Sequence, residues 1–347
     1  MTTTPKVPIR QVTMKQVAEA AGVHFSTVSR VLDPARRRMV TDEVVARVLA
    51  VAAELGYRTN ALASSLRTRR SRVVGFVVPD ITSLLFPPIL EGIEATLLAQ
   101  GYMTIVANTA NDPARHARVL AGMIERQVDG LILATATLNA PSVEDWVEGR
   151  APVVLINRTD ESGRLPSVIN DDLRGIGLAV AHLAERGHDR IGHVAGPQSL
   201  STGAMRYRGF RVAAAELGLP AGEEFVVVAD AFSRPAGRIA CHALLDRGLA
   251  VTAVAAANDL LALGCYDALA ERGLACPGDV SVTGYNDAPF VDMVMPPLTT
   301  VRIRQREMGS EAARLLLERM ADPAAAAIDI LLRPALVERQ STAAPKR

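Results

Sequence analysis

Residues 12–32, VTMKQVAEAAGVHFSTVSRVL, decide how the first part of the chain folds. Thr13 and Gln16 match a capping box, in which each side chain bonds a backbone N–H at the start of a helix. Apolar residues then recur at helical spacing as far as Gly22, which ends the helix because glycine adopts left-handed backbone angles at little cost. The apolar pattern resumes at Phe25. Two short helices joined by a glycine-containing turn predict a helix-turn-helix.

A third helix is predicted to follow. Thr41 can cap its start, and the two acidic residues after Thr41 suit the positive end of a helix. Val44, Val48 and Leu55 supply its predicted packing face, and Gly56 ends it. Three short helices with one apolar side each predict a small all-α head.

The second helix of a helix-turn-helix enters the DNA major groove, where its first residues meet base edges. Arg30 can donate two hydrogen bonds to guanine, and Phe25 can lie against a thymine methyl group. Thr27 and Ser29 can reach phosphates, which fix register without reading sequence. A three-helix packing module with no DNA role is the alternative. The DNA-binding side chains predicted in these two helices are Thr13, Phe25, Ser26, Thr27, Ser29 and Arg30.

The charge of the chain is divided between its two parts. Residues 1–72 contain 13 Lys/Arg and 5 Asp/Glu, whereas the remaining residues contain 25 basic and 32 acidic side chains. A basic head followed by an acidic body is typical of proteins that bind nucleic acid. A solvated basic tail is the alternative interpretation of the charge alone.

Cysteine usage and hydropathy indicate the compartment. The three cysteines, Cys241, Cys265 and Cys276, fit no zinc spacing, and their odd number argues against a disulfide framework. The first residues contain no apolar signal segment, and no apolar run is long enough to span a membrane. We therefore expect a cytoplasmic protein that has no membrane partner, metal or other cofactor.

From residue 73 onward, strand-like and helical patterns alternate, which predicts parallel sheets covered by helices on both faces. A core of this length suits two subdomains with a cleft, and ligands of such folds bind beyond the carboxyl ends of the strands. Strands are predicted at residues 73–79, 103–108, 130–134, 153–157, 190–195, 224–228, 253–256 and 280–284. Helices are predicted at residues 88–100, 115–127, 175–186, 206–217 and 260–272.

Enzyme functions find little support in the sequence. A GxSxG elbow, a GxxxxGK[ST] loop, an HExxH motif and a GxGxxG motif after a strand are all missing. Gly175 and Gly177 lack the rest of a dinucleotide fingerprint. We therefore predict that the protein is not an enzyme. A nucleotide-binding α/β enzyme and a solute-binding transport protein remain as alternatives.

The head stretch resembles the signature of the lactose-repressor (LacI) family almost residue for residue. Core segments resemble this family too, and through it the periplasmic sugar-binding proteins. They are VVGFVVPDITSLLFPPILEGIE, GPQSLSTGAMRYRGF, TAVAAANDLLALG, DVSVTGYNDAPF and PPLTTVR. The resemblance spans about residues 12–339. It implies an all-α helix-turn-helix head (11–59), a hinge helix and linker (60–72), and an α/β core of two parallel-sheet subdomains (73–340) that is periplasmic-binding-protein-like.

By matched position, the resemblance places Phe25, Ser26 and Arg30 at the base-reading positions of the family. It also implies a hinge helix that forms on DNA, whose Leu wedges into the minor groove. His24 stands where the family usually has a serine cap, so we expect either a poorer cap or an added cationic contact. Thr59 replaces a common proline before the hinge. The hinge residues implied to contact DNA are Asn60, Ala63 and Leu66.

The resemblance also implies an effector site in the core. Phe86 would offer a flat apolar face, and Arg206 would clamp effector oxygens. Asn286 replaces the usual aspartate of the family, so Arg206 would be less fully compensated. This suggests the hypothesis of a negatively charged effector, such as a sugar acid or phosphosugar, unless Asp287 takes the role of the aspartate. Phe86 as plain core and Arg206 in a structural ion pair are the alternatives. The implied effector contacts are Leu85, Phe86, Asp171, Arg206, Asn258 and Asn286.

Taken together, the head and core predict an effector-controlled transcriptional regulator, most often a repressor in this family. One small head binds a half-site weakly, so a homodimer should read a palindromic operator. A sugar-like effector bound in the cleft would then change operator affinity by linkage. The residues after Pro334 have no heptad repeat, so we expect a dimer and not a tetramer.

Overall fold

The computed structural model describes residues 12–33, 36–57, 70–138 and 151–346. The chain divides into a small unit that ends at Ser71 and a large unit that begins at Arg72. None of the described helices is both long and apolar enough to cross a membrane.

The described part of the small unit contains three α-helices, as predicted. They are α1 (Met14–Ala21), α2 (Phe25–Leu32) and α3 (Asp42–Glu54), with a 3₁₀ turn at Arg37–Met39. The capping box is confirmed, since the Thr13 backbone N–H donates to Oε1 of Gln16 at 2.8 Å and the Gln16 backbone N–H donates to Oγ1 of Thr13 at 3.4 Å. Gly22 ends α1 with a φ of 63°.

The core of the head joins all three helices. Two predictions for α3 are wrong: Leu55 lies exposed at the end of the helix, and the Thr41 side chain makes no capping bond. Leu55 is the C-cap of α3, one residue beyond the end of the helix at Glu54. The buried residues of the head are Val17, Ala18, Ala21, Val28, Val31, Val48 and Ala52.

Within the residues that the structure describes, the large unit contains two six-stranded sheets. The first sheet has the order β11-β5-β4-β3-β1-β2 and is parallel throughout. Its strands are β1 (Val73–Val78), β2 (Met103–Asn108), β3 (Gly130–Leu133), β4 (Val153–Ile156), β5 (Ser167–Asn170) and β11 (Asp329–Leu332).

The second sheet has the order β12-β10-β9-β8-β6-β7, and β12 is its antiparallel edge strand. Its strands are β6 (Ile191–Ala195), β7 (Val226–Val228), β8 (Ala253–Ala256), β9 (Ser281–Asn286), β10 (Thr299–Arg302) and β12 (Ala335–Val337). All eight predicted strands are confirmed to within two residues, and the predicted cleft lies between the two sheets.

Helices cover the sheets, and this explains why the central strands are apolar on both faces. The helices that pack on the first sheet are α4 (Phe86–Ala99), α5 (Pro113–Glu125) and α10 (Gln305–Ala321). Those that pack on the second are α6 (Asp172–Glu185), α7 (Ser201–Glu216), α8 (Arg234–Leu245) and α9 (Asp259–Glu271).

The chain passes between the sheets three times: after β5, after β10 and after β11. Neither subdomain is therefore one continuous segment. The first passage is short, because β5 ends at Asn170 and α6 begins at Asp172. It brings side chains of both subdomains to the same cleft.

Candidate effector site and DNA-reading helix

The carboxyl ends of the two sheets face a common cavity of about 530 Å³. Parallel strands end at this edge, where backbone groups and loop side chains are free to bind a ligand. From the first subdomain, residues that follow β1, β2, β3 and β4 line the cavity, among them Asp80, Thr109, Thr135 and Arg158. From the second, residues that follow β6, β7 and β8 or end β9 line it, among them Pro197, Phe232, Asn258 and Asn286.

Five of the six effector residues named from the sequence line this cavity: Leu85, Phe86, Arg206, Asn258 and Asn286. Phe86 is mostly buried and packs edge-on against Phe76. Asp171 is not among the lining residues. It is the N-cap of α6, where its Oδ1 accepts the backbone N–H of Arg174 at 3.0 Å.

Arg206 is buried and its guanidinium is held on several sides. Its Nε donates to Oδ1 of Asp172 at 2.9 Å, and its Nη1 donates to the carbonyl oxygen of Ala257 at 2.8 Å. The guanidinium carbon lies 3.9 Å from the centre of the Tyr285 ring. Burial raises the pKa of Asp172, and the positive charge of Arg206 opposes that rise. The expectation that Arg206 is less fully compensated is therefore wrong, because Asp172 forms a buried ion pair with it.

Asp172, the partner of Arg206, was not predicted from the sequence, because its neighbour Asp171 was the candidate named there. Asp171 and Asp172 are adjacent, and capping the helix uses Asp171. The next residue, Asp172, is buried and accepts a hydrogen bond from Arg206 of α7. The prediction of an anionic effector loses its stated ground, since the cation at Arg206 already has a buried carboxylate.

Arg158 is a second buried cation in the cavity wall, and the sequence analysis missed it. It follows β4, is 8% exposed, and has no ion-pair partner among the described residues. Its Nε also lacks a hydrogen-bond partner there. Burial and the nearby charge of Arg206 lower the pKa of Arg158 to about 10, so it stays protonated at neutral pH. Its only sequence signal is a charged residue directly after a buried strand.

Several polar atoms of lining residues are buried without a partner in the described part of the chain. Besides Nε of Arg158, they are Oδ1 of Asn157, Oδ2 of Asp160 and Oδ1 of Asn286. An unsatisfied buried polar group costs roughly 1–3 kcal/mol, so such a cluster favours a ligand that completes its hydrogen bonds. A fitting ligand must both donate and accept, as hydroxyl groups do.

The two polar atoms of the Asn258 amide have different roles. Its Oδ1 accepts the backbone N–H of Leu261 at 2.8 Å as the N-cap of α9. The amide nitrogen, which has no partner among the described residues, remains for a ligand. Apolar surface comes from Leu85 and from Phe232, whose ring centre lies 5.9 Å from the Arg206 guanidinium. Phe232 was another residue that the sequence analysis did not single out.

In the head, α2 buries Val28 and Val31, and none of its predicted DNA-reading residues is buried. Phe25 and Arg30 are exposed, whereas Ser26, Thr27 and Ser29 are half-buried. Thr13 is exposed at the start of α1. The hinge residues Asn60, Ala63 and Leu66 lie outside the described residues.

His24 acts as the cap of α2. Its Nδ1 accepts the backbone N–H of Ser26 at 3.3 Å and lies 2.8 Å from the Ser26 hydroxyl. The imidazole therefore takes the role that a serine usually has at this position. The two expectations for His24, a poorer cap than serine and an added cationic contact at low pH, stay predictions.

Two family models match the chain. The model described as "Bacterial regulatory proteins, lacI family" matches residues 13–60, and "Periplasmic binding protein-like domain" matches residues 180–342. The ribose operon repressor of Escherichia coli strain K12 is 32% identical over 330 residues, which cover 95% of this chain and 99% of that protein. The transcriptional repressor PurR of Pectobacterium carotovorum is 32% identical, with 95% and 97% covered.

Solved structures agree with these relatives. The lac repressor dimer bound to operator and an anti-inducer superposes with a TM-score of 0.81 at 26% identity, over 96% of this chain and 100% of that one. A LacI-family regulator from Enterococcus faecium with bound ribose has a TM-score of 0.69 at 31% identity, over 79% and 100%. The chain therefore belongs to the lacI family of bacterial regulatory proteins, with a helix-turn-helix DNA-binding head and a periplasmic-binding-protein-like core.

Proposed function

We propose that this protein is a repressor whose affinity for a palindromic operator is controlled by a small sugar bound in the cavity. The observation that carries the proposal is a polar, partly unsatisfied cavity between two subdomains, in a chain that also has the DNA-binding head of the lacI family. Its proposed action is binding and not catalysis, in the cytoplasm where the operator lies.

On the DNA side, the proposed base contacts come from Phe25, Ser26 and Arg30. Exposure of Phe25 and Arg30 in α2 suits this role. Two heads of a homodimer would occupy the two half-sites. The further proposed contacts to phosphates and to the minor groove are those of Thr13, Thr27, Ser29, Asn60, Ala63 and Leu66.

On the effector side, we propose a neutral sugar. Its hydroxyls would donate to Asn157, Asp160 and Asn286 and accept from Arg158 and Arg206. Asp172 neutralises Arg206, and Asp160 contributes a second negative charge, so the wall as a whole has no unbalanced positive charge to attract an anion. The relative with bound ribose and a regulator solved with cellobiose make these two sugars the first candidates.

Operator and effector would influence each other through one coupling free energy. A sugar that favours one arrangement of the subdomains changes operator affinity, and the operator must change sugar affinity by the same factor. For a coupling of about 1–3 kcal/mol, that factor is about 5–150.

The test begins with selection of bound duplexes from a random DNA pool, which yields the operator. Affinity for that duplex is then measured with D-ribose, with cellobiose and with D-gluconate as the anionic comparison. We expect a palindromic site and a change of at least fivefold in operator affinity when a neutral sugar is added. The sugar should be recovered chemically unchanged. Failure to retain any duplex at low salt would overturn the DNA assignment. A response to gluconate alone would overturn the neutral-sugar assignment.

A further inference from the structure

Asp259 is a buried carboxylate that lies behind the cavity without lining it. It directly follows Asn258 and opens α9. Its Oδ1 accepts the Thr300 hydroxyl at 2.5 Å, and its Oδ2 accepts the backbone N–H of Ala288 at 2.7 Å. In the described chain no cation pairs with it, and burial raises the pKa of Asp259 to about 7. Burial of a carboxylate without a cation is costly, and this suggests that the hydrogen bonds of Asp259 have a role.

The hydrogen bond to Ala288 anchors a loop with unusual backbone angles. The φ angles of Asn286, Asp287 and Phe290 are 115°, 54° and 74°. A positive φ at a residue other than glycine is a strained backbone conformation, so the surroundings must hold the loop in place. Besides Asp259, three side chains hold the loop in the described residues. Arg302 and Arg339 donate to the Asp287 carboxylate at 2.6 and 2.7 Å, and Nε2 of Gln305 donates to the carbonyl oxygen of Asn286 at 3.4 Å.

The strand that leads into this loop is shaped to admit the carboxylate. A Cβ at Gly284 would lie 2.3 Å from Oδ1 of Asp259. Only glycine therefore allows the carboxylate to approach β9 so closely. Two residues later, Asn286 ends the strand with its amide in the cavity wall and its Oδ1 without a partner.

We propose that Asp259 is a positioning residue for the effector. It holds residues 286–290 in the strained conformation that keeps the Asn286 amide in the cavity wall, and it does not touch the effector itself. This role rests on the proposed function, because it requires the cavity to be the effector site. Sugar affinity would then depend on Asp259, although this residue does not line the cavity.

A double-mutant cycle tests the proposal. The probe is the sugar, among D-ribose, D-glucose and cellobiose, that gives wild type the largest thermal shift, and affinity is measured by calorimetry. Asp259→Ala removes both acceptor oxygens and leaves the Ala288 N–H without its partner. We expect this variant and Asn286→Gly each to lower affinity about tenfold or more. Because Asp259 acts through Asn286, the double variant should bind within about twofold of Asn286→Gly.

Two further variants separate positioning from general stability. Asp279→Ala is the matched control, since Asp279 lies in the same subdomain, away from the cavity, and accepts the Ala275 backbone N–H at 2.7 Å. It should leave sugar affinity unchanged. Thr300→Val removes only the hydroxyl donor to Oδ1 and should weaken binding in wild type but not in Asn286→Gly. If Asp259→Ala does not fold, Thr300→Val takes its place in the cycle. If the fold-losses of sugar affinity in the single variants multiply in the double variants, the proposal is overturned.

Failure of the proposed function is distinguishable from failure of this inference. If no sugar binds to wild type, the effector assignment fails. Anchoring of the loop is then tested by the rate of hydrogen exchange at the Ala288 amide in the full-length protein. Faster exchange in Asp259→Ala or Thr300→Val than in Asp279→Ala supports the anchoring, and equal protection overturns it.

Discussion

At the scale of single residues, the ion pair between Asp172 and Arg206 is buried on both sides. Removal of one partner leaves an uncompensated buried charge, which costs about 3–5 kcal/mol. We therefore expect Asp172→Asn to lower the free energy of unfolding by about that amount, as measured by urea denaturation. The control is Asp267→Asn, which breaks the exposed pair with Arg234 and should cost less than about 1 kcal/mol. Equal losses in the two variants would contradict the prediction.

His193 should make the core sensitive to acid. Its ring is fully buried, its Nδ1 donates to the carbonyl oxygen of Ala255 at 2.7 Å, and burial lowers its pKa to about 4. Between about pH 6.5 and pH 4 the unfolded chain binds a proton at this residue and the folded chain does not. Stability from His193 is therefore complete above that range and is lost as the pH falls through it.

The variant His193→Gln keeps a donor for Ala255 but cannot be protonated. We expect it to be less stable than wild type near pH 7 and to approach wild type as the pH falls to about 5. Unfolding free energies across this range measure the difference. The same substitution at the surface residue His242 is the control. A gap that stays constant with pH at position 193 would refute the assignment.

At the scale of elements, helix α2 combines a conventional packing face with an unconventional cap. Val28 and Val31 hold it in the head, and His24 supplies the cap. Arg30→Ala should cost about 1–3 kcal/mol of operator affinity and relax preference at one base pair, because a bidentate contact to guanine is lost. Thr27→Val should weaken binding evenly across sequences. Binding to a library of single-base operator variants distinguishes the two patterns, and an unchanged preference in Arg30→Ala would exclude base reading by this residue.

Elements could be predicted where local chemistry is sufficient. Gly22 and the capping box mark α1, and buried apolar runs mark strands such as β1. Edge strands β11 and β12 were not predicted because they have four and three residues, most of them partly or fully exposed. Asp172 and Arg158 were missed for a different reason. Charged residues are usually exposed, and their burial depends on strand ends that meet only across two sheets.

At the scale of the whole molecule, one loop of the second subdomain exposes three large apolar residues. Phe290, Met293 and Met295 are 64%, 75% and 85% exposed. Exposed apolar clusters mark interaction surfaces, and the homodimer that we propose offers a second copy as the partner. We expect the variant with Met293→Glu and Met295→Glu to be monomeric and to lose high-affinity operator binding. Sedimentation and operator titration measure both effects. Leu217→Glu, at an exposed site elsewhere, is the control, and a variant that stays dimeric would exclude this surface.

The three passages between the sheets have a consequence for synthesis on the ribosome. Five strands of the first sheet emerge early, but β11 and the covering helix α10 are translated only after β6–β10 of the second sheet. At about 5–20 residues per second, this delay is on the order of ten seconds. Throughout it, the nascent first subdomain has an unpaired edge at β5 and an apolar face without its helix. The effector cavity, which needs both sheets, therefore forms only near the end of translation.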